Sequence, residues 1–207
     1  MEIRDRIKQK ADELYRRYGV KSVTMDEIAL QLSVSKKTIY QSFSDKNELV
    51  DEVVVDMLEA NKVACKQSIH QSDNAIHEVL LMMEAMQDMM TSLSPTFVFD
   101  IQRGHPSSYK KFDNYKSDFI FKILVANIEK GKKEELYRPE LNTEVIAKFR
   151  LNTIMLVYNE EVFPRNQYTI LELQKEMILY YLYGMVTLKG YHLIIKYQKE
   201  SAKKTEQ

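Results

Sequence analysis

The sequence predicts an all-α fold of about nine helices, and three observations support this prediction. The 207 residues include 5 glycines and 4 prolines, too few for the many turns of an all-β fold. Apolar residues recur at spacings of three and four over most of the chain, which is the period of a helix with one buried face. No segment shows the strict alternation of apolar and polar residues that indicates a strand.

The first three predicted helices have recognisable ends. An apolar stripe over residues 3–18 indicates the first helix, and Gly19 is its expected C-terminal cap. Thr24 stands three residues before a glutamate, so it is the expected N-cap of a second helix over residues 25–32. Ser35 is the expected N-cap of a third, short helix.

Longer helices are predicted for the remainder of the chain, with Pro95 and Pro164 as stops. A polar loop with Gly131 and Pro139 is expected to precede the eighth of them. The predicted ranges are 46–69 for the fourth helix, 75–91 for the fifth, 96–102 for a short sixth element, 106–129 for the seventh, 143–163 for the eighth and 168–198 for the ninth.

The third helix, between Ser35 and Phe43, has a narrow apolar edge and a broad polar face. Ile39 and Phe43 lie four residues apart and are expected to anchor it on the first two helices. The opposite face carries Lys37 and Gln41, also four apart. Such a helix after a tight turn is typical of a helix-turn-helix, where lysine can donate to guanine and glutamine to adenine in the major groove. The alternative is an ordinary solvated helix face.

Two further residues suggest phosphate contacts beside this helix. Lys46 lies in the first turn of the fourth helix, where the helix dipole disfavours a cation unless an anion is near. Thr24 is similarly placed at the second helix, and capping alone is the alternative for it. The formal net charge is zero, so a DNA-binding hypothesis depends on this local geometry rather than on bulk charge.

The stretch from Ala11 to Val50, ADELYRRYGVKSVTMDEIALQLSVSKKTIYQSFSDKNELV, resembles the DNA-binding domain of the tetracycline-repressor (TetR) family. The matching features are Ala-x-x-Leu…Gly, Thr-x-x-x-Ile-Ala and Val-Ser-x-x-Thr-Ile-Tyr-x-x-Phe-x-x-Lys-x-x-Leu. The match covers about a fifth of the chain, and the remainder is similar to the family only in its helical layout. The DNA contacts that the resemblance implies fall on Thr24, Ser35, Lys36, Lys37, Thr38, Tyr40, Gln41 and Lys46.

The chain departs from the family pattern at two positions. Ser33 stands where the family often has glycine, so a positive φ there would strain the serine. Lys37 also replaces a frequent glycine, which predicts an additional contact and a distinct operator preference. The departures affect the operator sequence and not the type of module.

The C-terminal segment EMILYYLYGMVTLKGYHLIIKY is apolar nearly all round its predicted helix, which is more than one packed face requires. We interpret the surplus as a homodimer interface through the last two helices, as the resemblance also implies, with a large monomeric core as the alternative. Residues expected to face the chain's own core are Ile178, Leu182, Met185 and Leu188. The residues then expected to be covered by the partner chain are Leu179, Tyr181, Tyr183 and Val186.

In the TetR family a small molecule among the middle helices changes the separation of the two recognition helices. The resemblance therefore implies an effector, which the side chains available here predict to be largely apolar. Ordinary core packing is the alternative for each of them. The residues predicted to line such a pocket are Met82, Met83, Met86, Phe97, Phe99, Tyr115, Phe119, Met155 and Tyr158.

Enzyme and metal chemistry find no support in the sequence. The four histidines are scattered, and no Gly-rich phosphate loop, CxxC or nucleophile elbow occurs, so neither a cofactor nor a metal is expected. A single cysteine, Cys65, fits a reducing compartment. The charged N-terminus and the 12-residue uncharged run Met177–Leu188 predict neither a signal peptide nor a membrane span, so we expect a cytoplasmic protein.

The sequence therefore predicts a DNA-binding domain over residues 1–50 and a helical effector-binding and dimerisation domain over 51–207. The predicted function is a transcriptional repressor that binds a palindromic operator as a homodimer and is released by a small molecule. One alternative is a helix-turn-helix that binds protein and has no operator. Another is a helical ligand carrier or enzyme, against which the lack of convergent polar residues argues.

Overall fold

The computed structural model of the chain describes residues 2–92, 94 and 96–205, without the side chains of 88–90, 92 and 202–205. These residues form eleven α-helices, one π-helical segment and no strand, which confirms the all-α prediction. None of the helices in this part of the chain has both the length and the apolar character needed to cross a bilayer. The helices are α1 Ile3–Tyr18, α2 Met25–Leu32, α3 Lys36–Ser42, α4 Lys46–Gln71, α5 Ala75–Ser92, α6 Phe97–Gly104, α7 Pro106–Asn114, the π-helical segment Tyr115–Ile120, α8 Phe121–Lys133, α9 Thr143–Leu156, α10 Ile170–Tyr183 and α11 Leu188–Thr205.

Side-chain and glycine caps set the ends of the first three helices, as the sequence predicts. Gly19 follows α1 with φ 79°, a conformation that glycine adopts without a steric penalty. The Thr24 hydroxyl accepts a hydrogen bond from the backbone of Glu27 at 3.1 Å, and that of Ser35 accepts one from Thr38 at 3.1 Å. These caps satisfy backbone donors that the first turn of a helix leaves unpaired.

Two compact units divide the chain, and residues 1–62 with 88–115 form the first. Its core is built where α1, α2 and α3 contact one another and the start of α4. Arg4 on α1 lies 4.1 Å above the Phe43 ring and donates hydrogen bonds to the Ser42 carbonyl and to Glu48 and Glu52 on α4. The core side chains are Ile7, Ala11, Leu14, Tyr15, Ile28, Ile39, Phe43, Leu49, Val50 and Val53.

Helices α6 and α7 belong to the same unit and form polar contacts with the turn after α1 and with α4. The Asp100 carboxylate on α6 accepts a hydrogen bond from the backbone of Lys21 at 2.9 Å. Asp51 on α4 accepts hydrogen bonds from Ser107 and Ser108 at the start of α7. The first compact unit also contains residues 51–62 and 88–115. The predicted boundary at residue 50 between a DNA-binding and an effector-binding domain stays a prediction.

Residues 63–87 and 116–207 form the second unit, whose core is centred on Tyr137. The Tyr137 hydroxyl lies 3.2 Å from two acceptors, the Ala75 carbonyl oxygen and Asn127 Oδ1, and donates its hydrogen bond to them. Asn127 also donates to Glu78, which is paired with Lys130 at 2.9 Å. The buried core residues of this unit are Ala75, Ile76, Ile128, Leu136, Tyr137, Ala147, Ile178, Tyr181, Leu182, Met185 and Ile194.

Cys65 lies on the part of α4 that belongs to the second unit, and its side chain is buried. It is the single cysteine of the chain, so no disulfide within the chain can form.

The predicted ninth helix is wrong as one continuous element, because it divides into α10 and α11. The segment 184–187 leaves the helix and bonds to residues 135–138. The backbone of Arg138 donates to the Met185 carbonyl, and that of Thr187 donates to the Leu136 carbonyl, each at 2.9 Å. Gly190 fits this junction because a Cβ there would lie 2.4 Å from the Leu136 carbonyl oxygen.

Two other helix boundaries also differ from the prediction. The eighth predicted helix ends at Leu156 instead of residue 163, and turns around Asn159 follow it. The seventh contains the π-helical segment and continues to Lys133, so Gly131 is a buried helical residue and not part of a loop. Pro95, the predicted stop of the fifth helix, lies outside the described residues.

Candidate nucleic-acid interface

Helix α3 is anchored by its apolar edge and presents its polar face to solvent. Ile39 and Phe43 are buried, as the sequence predicts. Lys37 and Gln41 are exposed, and the Tyr40 side chain is 52% exposed. The structure therefore keeps three donor side chains of α3 available to a ligand in solution, while the helix itself is held by the core of the first unit.

Three other predicted contact residues of this helix already have partners within the protein. The Ser35 hydroxyl caps the helix and lies 2.8 Å from the Thr38 hydroxyl. Lys36 forms an exposed ion pair with Asp26 at 2.6 Å, and this hydrogen bond raises the pKa of Lys36. Solvent screens such an exposed pair, so Lys36 can exchange Asp26 for a phosphate at little cost.

Lys46 is held more firmly than the sequence indicates. Its ammonium group donates a hydrogen bond to the Val20 carbonyl at 2.6 Å. Burial lowers the pKa of Lys46, and the nearby Asp100 carboxylate opposes that shift. An ammonium group has three donors, so this bond leaves two for another acceptor. The contact places Lys46 between the turn after α1 and the start of α4.

Thr24 is the N-cap of α2, a position from which an exposed hydroxyl can contact a phosphate. Its oxygen accepts from the backbone of Glu27, and its own hydroxyl hydrogen is not used by that bond. The residue is exposed. A threonine in this position can cap the helix and donate to an anion at the same time.

Ser33, which stands where the family often has glycine, has a positive φ. Its φ of 55° and ψ of 40° are left-handed, and its backbone N–H donates to the Leu30 carbonyl at 3.1 Å to close α2. Left-handed backbone is uncommon for residues other than glycine. The turn of the helix-turn-helix therefore carries local strain at Ser33.

Replacing Ser33 with glycine is expected to relieve this strain. The free energy of unfolding should rise by roughly 0.5–1 kcal/mol, less the entropy that a glycine loses on folding. Chemical denaturation of both proteins measures the change. Ser33→Ala is the matched control, since it removes the hydroxyl and keeps the Cβ; equal stabilisation by both substitutions would contradict the strain at this position.

The predicted ligand residues are distributed over both units. In the first unit Phe97 is buried, Phe99 is exposed with Arg103 4.2 Å from its ring centroid, and Tyr115 donates a hydrogen bond to Asn61. The others belong to the second unit, where all of them are half-buried. Those residues are Met82, Met83, Met86, Phe119, Met155 and Tyr158.

Only one of the half-buried residues lines a pocket of about 320 Å³ in the second unit. This residue is Phe119, in the π-helical segment. Met83 instead packs against the core of the unit, and burial raises the pKa of Tyr158 to about 12. The sequence interpretation missed the polar residues that line this pocket, which are Glu78, Lys122 and Lys130. The pairing of Glu78 with Lys130 is visible only in three dimensions.

The second unit also has an exposed apolar face formed by α9, α10 and α11. Phe149, Tyr180 and Tyr183 border one surface pocket of about 360 Å³, and the ring centroids of Tyr183 and Tyr191 are 5.6 Å apart. Tyr180 is 75% exposed. The residues of this exposed apolar face are Val145, Phe149, Tyr180, Tyr183, Leu188 and Tyr191.

This face corrects the residue assignment made from the sequence. Leu188 was predicted to face the core but is exposed. Tyr181 was predicted to need a partner chain but is buried within the unit, and Leu179 and Val186 pack against the same core. The division into α10 and α11 explains Leu188 and Val186, since residues after Gly184 no longer follow the periodicity of α10. Tyr181 and Leu179 lie within α10 beside Ile178 and Leu182, so the core-facing side of α10 is broader than predicted.

The histidines do not form a metal site in the part of the chain that the structure describes. No group of three or more histidine, cysteine, aspartate or glutamate side chains comes together there. His77 stacks on Tyr197 with ring centroids 4.8 Å apart, and His105 forms a hydrogen bond with Asn47 at 2.7 Å.

Comparison with known proteins supports the interpretation of the N-terminal helices. Residues 7–53 match the family model described as bacterial regulatory proteins, tetR family. YvaF, an HTH-type transcriptional regulator of Bacillus subtilis strain 168, is 23% identical over 159 residues, which cover 76% of this chain and 82% of YvaF. The similarity therefore extends beyond the helix-turn-helix into the C-terminal helices.

Solved structures show the same fold over most of the chain. A TetR-family transcriptional regulator from Marinobacter aquaeolei superposes with a TM-score of 0.75 at 15% identity and covers 97% of this chain and 98% of its own. A transcriptional regulator from Saccharomonospora viridis, determined in complex with choline, has a TM-score of 0.76 at 16% identity and covers 89% and 97%.

Proposed function

We propose that this chain, which belongs to the TetR family of DNA-binding transcriptional regulators, is a repressor that binds a palindromic operator as a homodimer and is released by a small-molecule effector. The observation that carries the proposal is the geometry of α3. Two buried side chains hold this helix, and Lys37, Tyr40 and Gln41 face solvent. A major groove admits one such helix and offers acceptors to these side chains.

The backbone contacts of the proposed complex lie on both sides of α3. Thr24 at the start of α2 and Lys46 at the start of α4 each present a donor near a helix N-terminus, where phosphate oxygens bind favourably. Lys36 is available once its exposed pair with Asp26 opens. Such contacts set the register of the protein on DNA, while Lys37 and Gln41 contact the bases.

The exposed apolar face supports the homodimer. Exposed apolar clusters of this kind on a soluble protein are typical of interaction sites. A second copy is a suitable occupant because a palindromic operator requires a two-fold axis, with recognition helices roughly 34–36 Å apart. Burial of Tyr180, Leu188 and Phe149 against the same residues of the partner would remove them from water.

The effector proposal is supported by the half-buried Met and aromatic side chains of the second unit. Phe119 lines a pocket there together with Ile69 and Ile123. An effector releases DNA only when it binds one separation of the recognition helices more tightly than the other. The proposal therefore predicts that the affinity of the protein for its effector is lower in the presence of operator DNA than in its absence.

Selection from random DNA, followed by gel shifts with variants, tests DNA recognition. We expect the selected sequences to share a palindrome. Lys37→Ala and Gln41→Ala should lose discrimination at particular base pairs, by roughly 1–3 kcal/mol each. Lys46→Ala should weaken binding to all sequences and reduce the slope of log K against log salt by about 0.9.

Two controls make this experiment decisive. Lys175→Ala removes an exposed lysine of α10 and should leave DNA binding unchanged. Thermal unfolding of Lys46→Ala separates loss of a phosphate contact from loss of the Val20 hydrogen bond. Selection that enriches no sequence would favour the alternative of a protein-binding helix-turn-helix, and wild-type binding by all three variants would refute the contact assignment.

A further inference from the structure

An acidic residue lies on the same surface as the proposed DNA contacts. Asp26 is in the first turn of α2, two residues after Thr24, and its carboxylate accepts a hydrogen bond from the Lys36 ammonium group at 2.6 Å. Lys36 is the first residue of α3, so the pair joins the starts of the two helices of the helix-turn-helix. Because Thr24 and Lys36 are both proposed phosphate contacts, a bound DNA backbone would pass close to this carboxylate.

Helix stability gives Asp26 one ordinary role, which does not explain its pairing. A carboxylate in the first turn interacts favourably with the helix dipole, and Glu27 in the same turn does so as well. That role needs no contact with Lys36, which belongs to a different helix. The pairing instead places an opposite charge on one of the three lysines of the proposed interface, Lys36, Lys37 and Lys46.

The Asp26 carboxylate and a DNA phosphate compete for the same ammonium group. While the pair is closed, its two charges cancel, so Lys36 neutralises no phosphate and releases no counterion. The two side chains are 54% and 68% exposed, for Asp26 and Lys36 respectively, so solvent screens their attraction and the pair can open. Lysine carries a compact charge on a flexible stem, so Lys36 can turn from Asp26 to a phosphate oxygen without movement of α3.

This competition affects the two kinds of DNA complex differently. Binding to DNA of any sequence comes from phosphate contacts, so it depends on the lysines that are not already paired. In the operator complex, the proposed base contacts of Lys37 and Gln41 fix the position of α3 in the major groove. A phosphate held at one place beside Lys36 acts at a high effective concentration and displaces Asp26, whereas the changing phosphates of a non-specific complex do not.

We propose that Asp26 is a specificity-determining residue, which holds Lys36 in an ion pair and so weakens binding to other DNA more than binding to the operator. The pair is closed in the free protein and in non-specific complexes, and it opens in the operator complex. Such a device is useful because the non-specific sites of a genome greatly outnumber the operators. The proposal rests on the proposed function, but Lys37→Ala and Lys46→Ala test that function without reference to Asp26.

Salt titrations of Asp26→Asn test the proposal, since asparagine keeps the size of the side chain and removes its charge. Binding is measured to the palindrome selected from random DNA and to a random duplex of equal length. On the random duplex, the affinity should rise by roughly 2- to 5-fold. The slope of log K against log salt should steepen there by about 0.9, because Lys36 then neutralises one more phosphate. On the palindrome the slope should stay constant, and the affinity should rise by less than on the random duplex.

Lys36→Ala completes a double-mutant cycle with Asp26→Asn. In the Lys36→Ala background, Asp26→Asn should no longer steepen the salt dependence on the random duplex, because the lysine that it would release is absent. The cycle therefore separates the pairing of Lys36 from the repulsion between the Asp26 carboxylate and DNA. Thermal unfolding of each variant checks that the helix-turn-helix stays folded.

Glu59→Gln is the matched control. It also removes the acidic partner of a surface lysine in the first unit, because Glu59 accepts a hydrogen bond from Lys62 at 2.6 Å. Glu59 lies roughly 20 Å along α4 from Lys46. That distance exceeds the Debye length of about 8 Å at physiological salt, so this variant should bind both duplexes as the wild type does.

Three results would overturn the proposal: an unchanged salt slope of Asp26→Asn on the random duplex, equal gains in affinity on both duplexes, or the same gain in the Lys36→Ala background. The last of these would show that Asp26 acts through its own charge and not through Lys36. A wild type that selects no DNA sequence would refute the proposed function together with this proposal. A wild type that selects a palindrome, with no effect of Asp26→Asn, would refute this proposal alone.

Discussion

Replacing Tyr180 with aspartate is expected to convert the proposed dimer to a monomer and to weaken operator binding at least about a hundredfold. Tyr180 is the most exposed aromatic residue of the exposed apolar face, so the isolated chain should tolerate the change. In the dimer, however, a carboxylate would be buried without a partner. Loss of the second recognition helix then removes the gain from simultaneous binding of two half-sites.

Light scattering and gel shifts on the same protein preparation measure the two effects. Val63→Asp is the control, since it places the same charge at an exposed apolar position of α4, outside the exposed apolar face. This variant should stay dimeric and bind DNA. If Tyr180→Asp remains a dimer at micromolar concentration, the interface lies elsewhere; if it is monomeric and binds the operator at full strength, the two-fold model of recognition is wrong.

Gly131→Ala is expected to destabilise the protein by about 2 kcal/mol, although alanine is the better helix former. A Cβ at this position would lie 2.1–2.6 Å from three ring carbons of Tyr137. Tyr137 is fully buried and its hydroxyl is held at the centre of the second unit, so its ring cannot move aside. The midpoint of thermal unfolding should fall by roughly 4–8 °C.

Gly104→Ala provides the matched control. It changes the last residue of α6, where a Cβ would meet no atom within 4 Å. There the higher helix propensity of alanine is unopposed, so stability should stay constant or rise by up to roughly 1 kcal/mol. The test is that the two substitutions change the free energy of unfolding in opposite directions. Equal stabilisation by both would show that the Tyr137 ring yields to a methyl group.

The sequence predicted α1, α2 and α3 nearly to the residue because their ends depend on local chemistry. Gly19, Thr24 and Ser35 each cap a helix through a backbone or hydroxyl contact within a few residues. The buried edge of α3 was predictable for the same reason, since Ile39 and Phe43 follow helical spacing. Both the first three helices and the exposed donors of α3 could therefore be inferred without a structure.

The boundary between α10 and α11 could not be predicted, because distant residues determine it. A glycine within an apolar run is compatible with a continuous helix. Here the chain leaves the helix after Gly184 since Arg138 and Thr187 form hydrogen bonds between segments about fifty residues apart. The end of α9 at Leu156 similarly depends on the turns around Asn159.

In the candidate sites, too, contacts between neighbouring residues were predictable and contacts between residues far apart in the sequence were not. Lys37 and Gln41 were assigned from spacing alone, whereas the bond from Lys46 to Val20 joins residues 26 positions apart. The burial of Arg150 was not predicted, because a single arginine in a helix is usually solvated. Its burial beside Tyr181 follows from the pairing of α9 with α10, which the sequence does not encode in any short pattern.

The burial of Cys65 makes the protein suited to site-selective labelling. Since this is the single thiol of the chain and is shielded from solvent, a cysteine introduced at an exposed position will react first with a maleimide probe. Leu30 on α2 is 77% exposed and offers such a position without altering Lys37. A spin label there would let the distance between the two copies of the proposed homodimer be followed by magnetic resonance as a candidate effector is added.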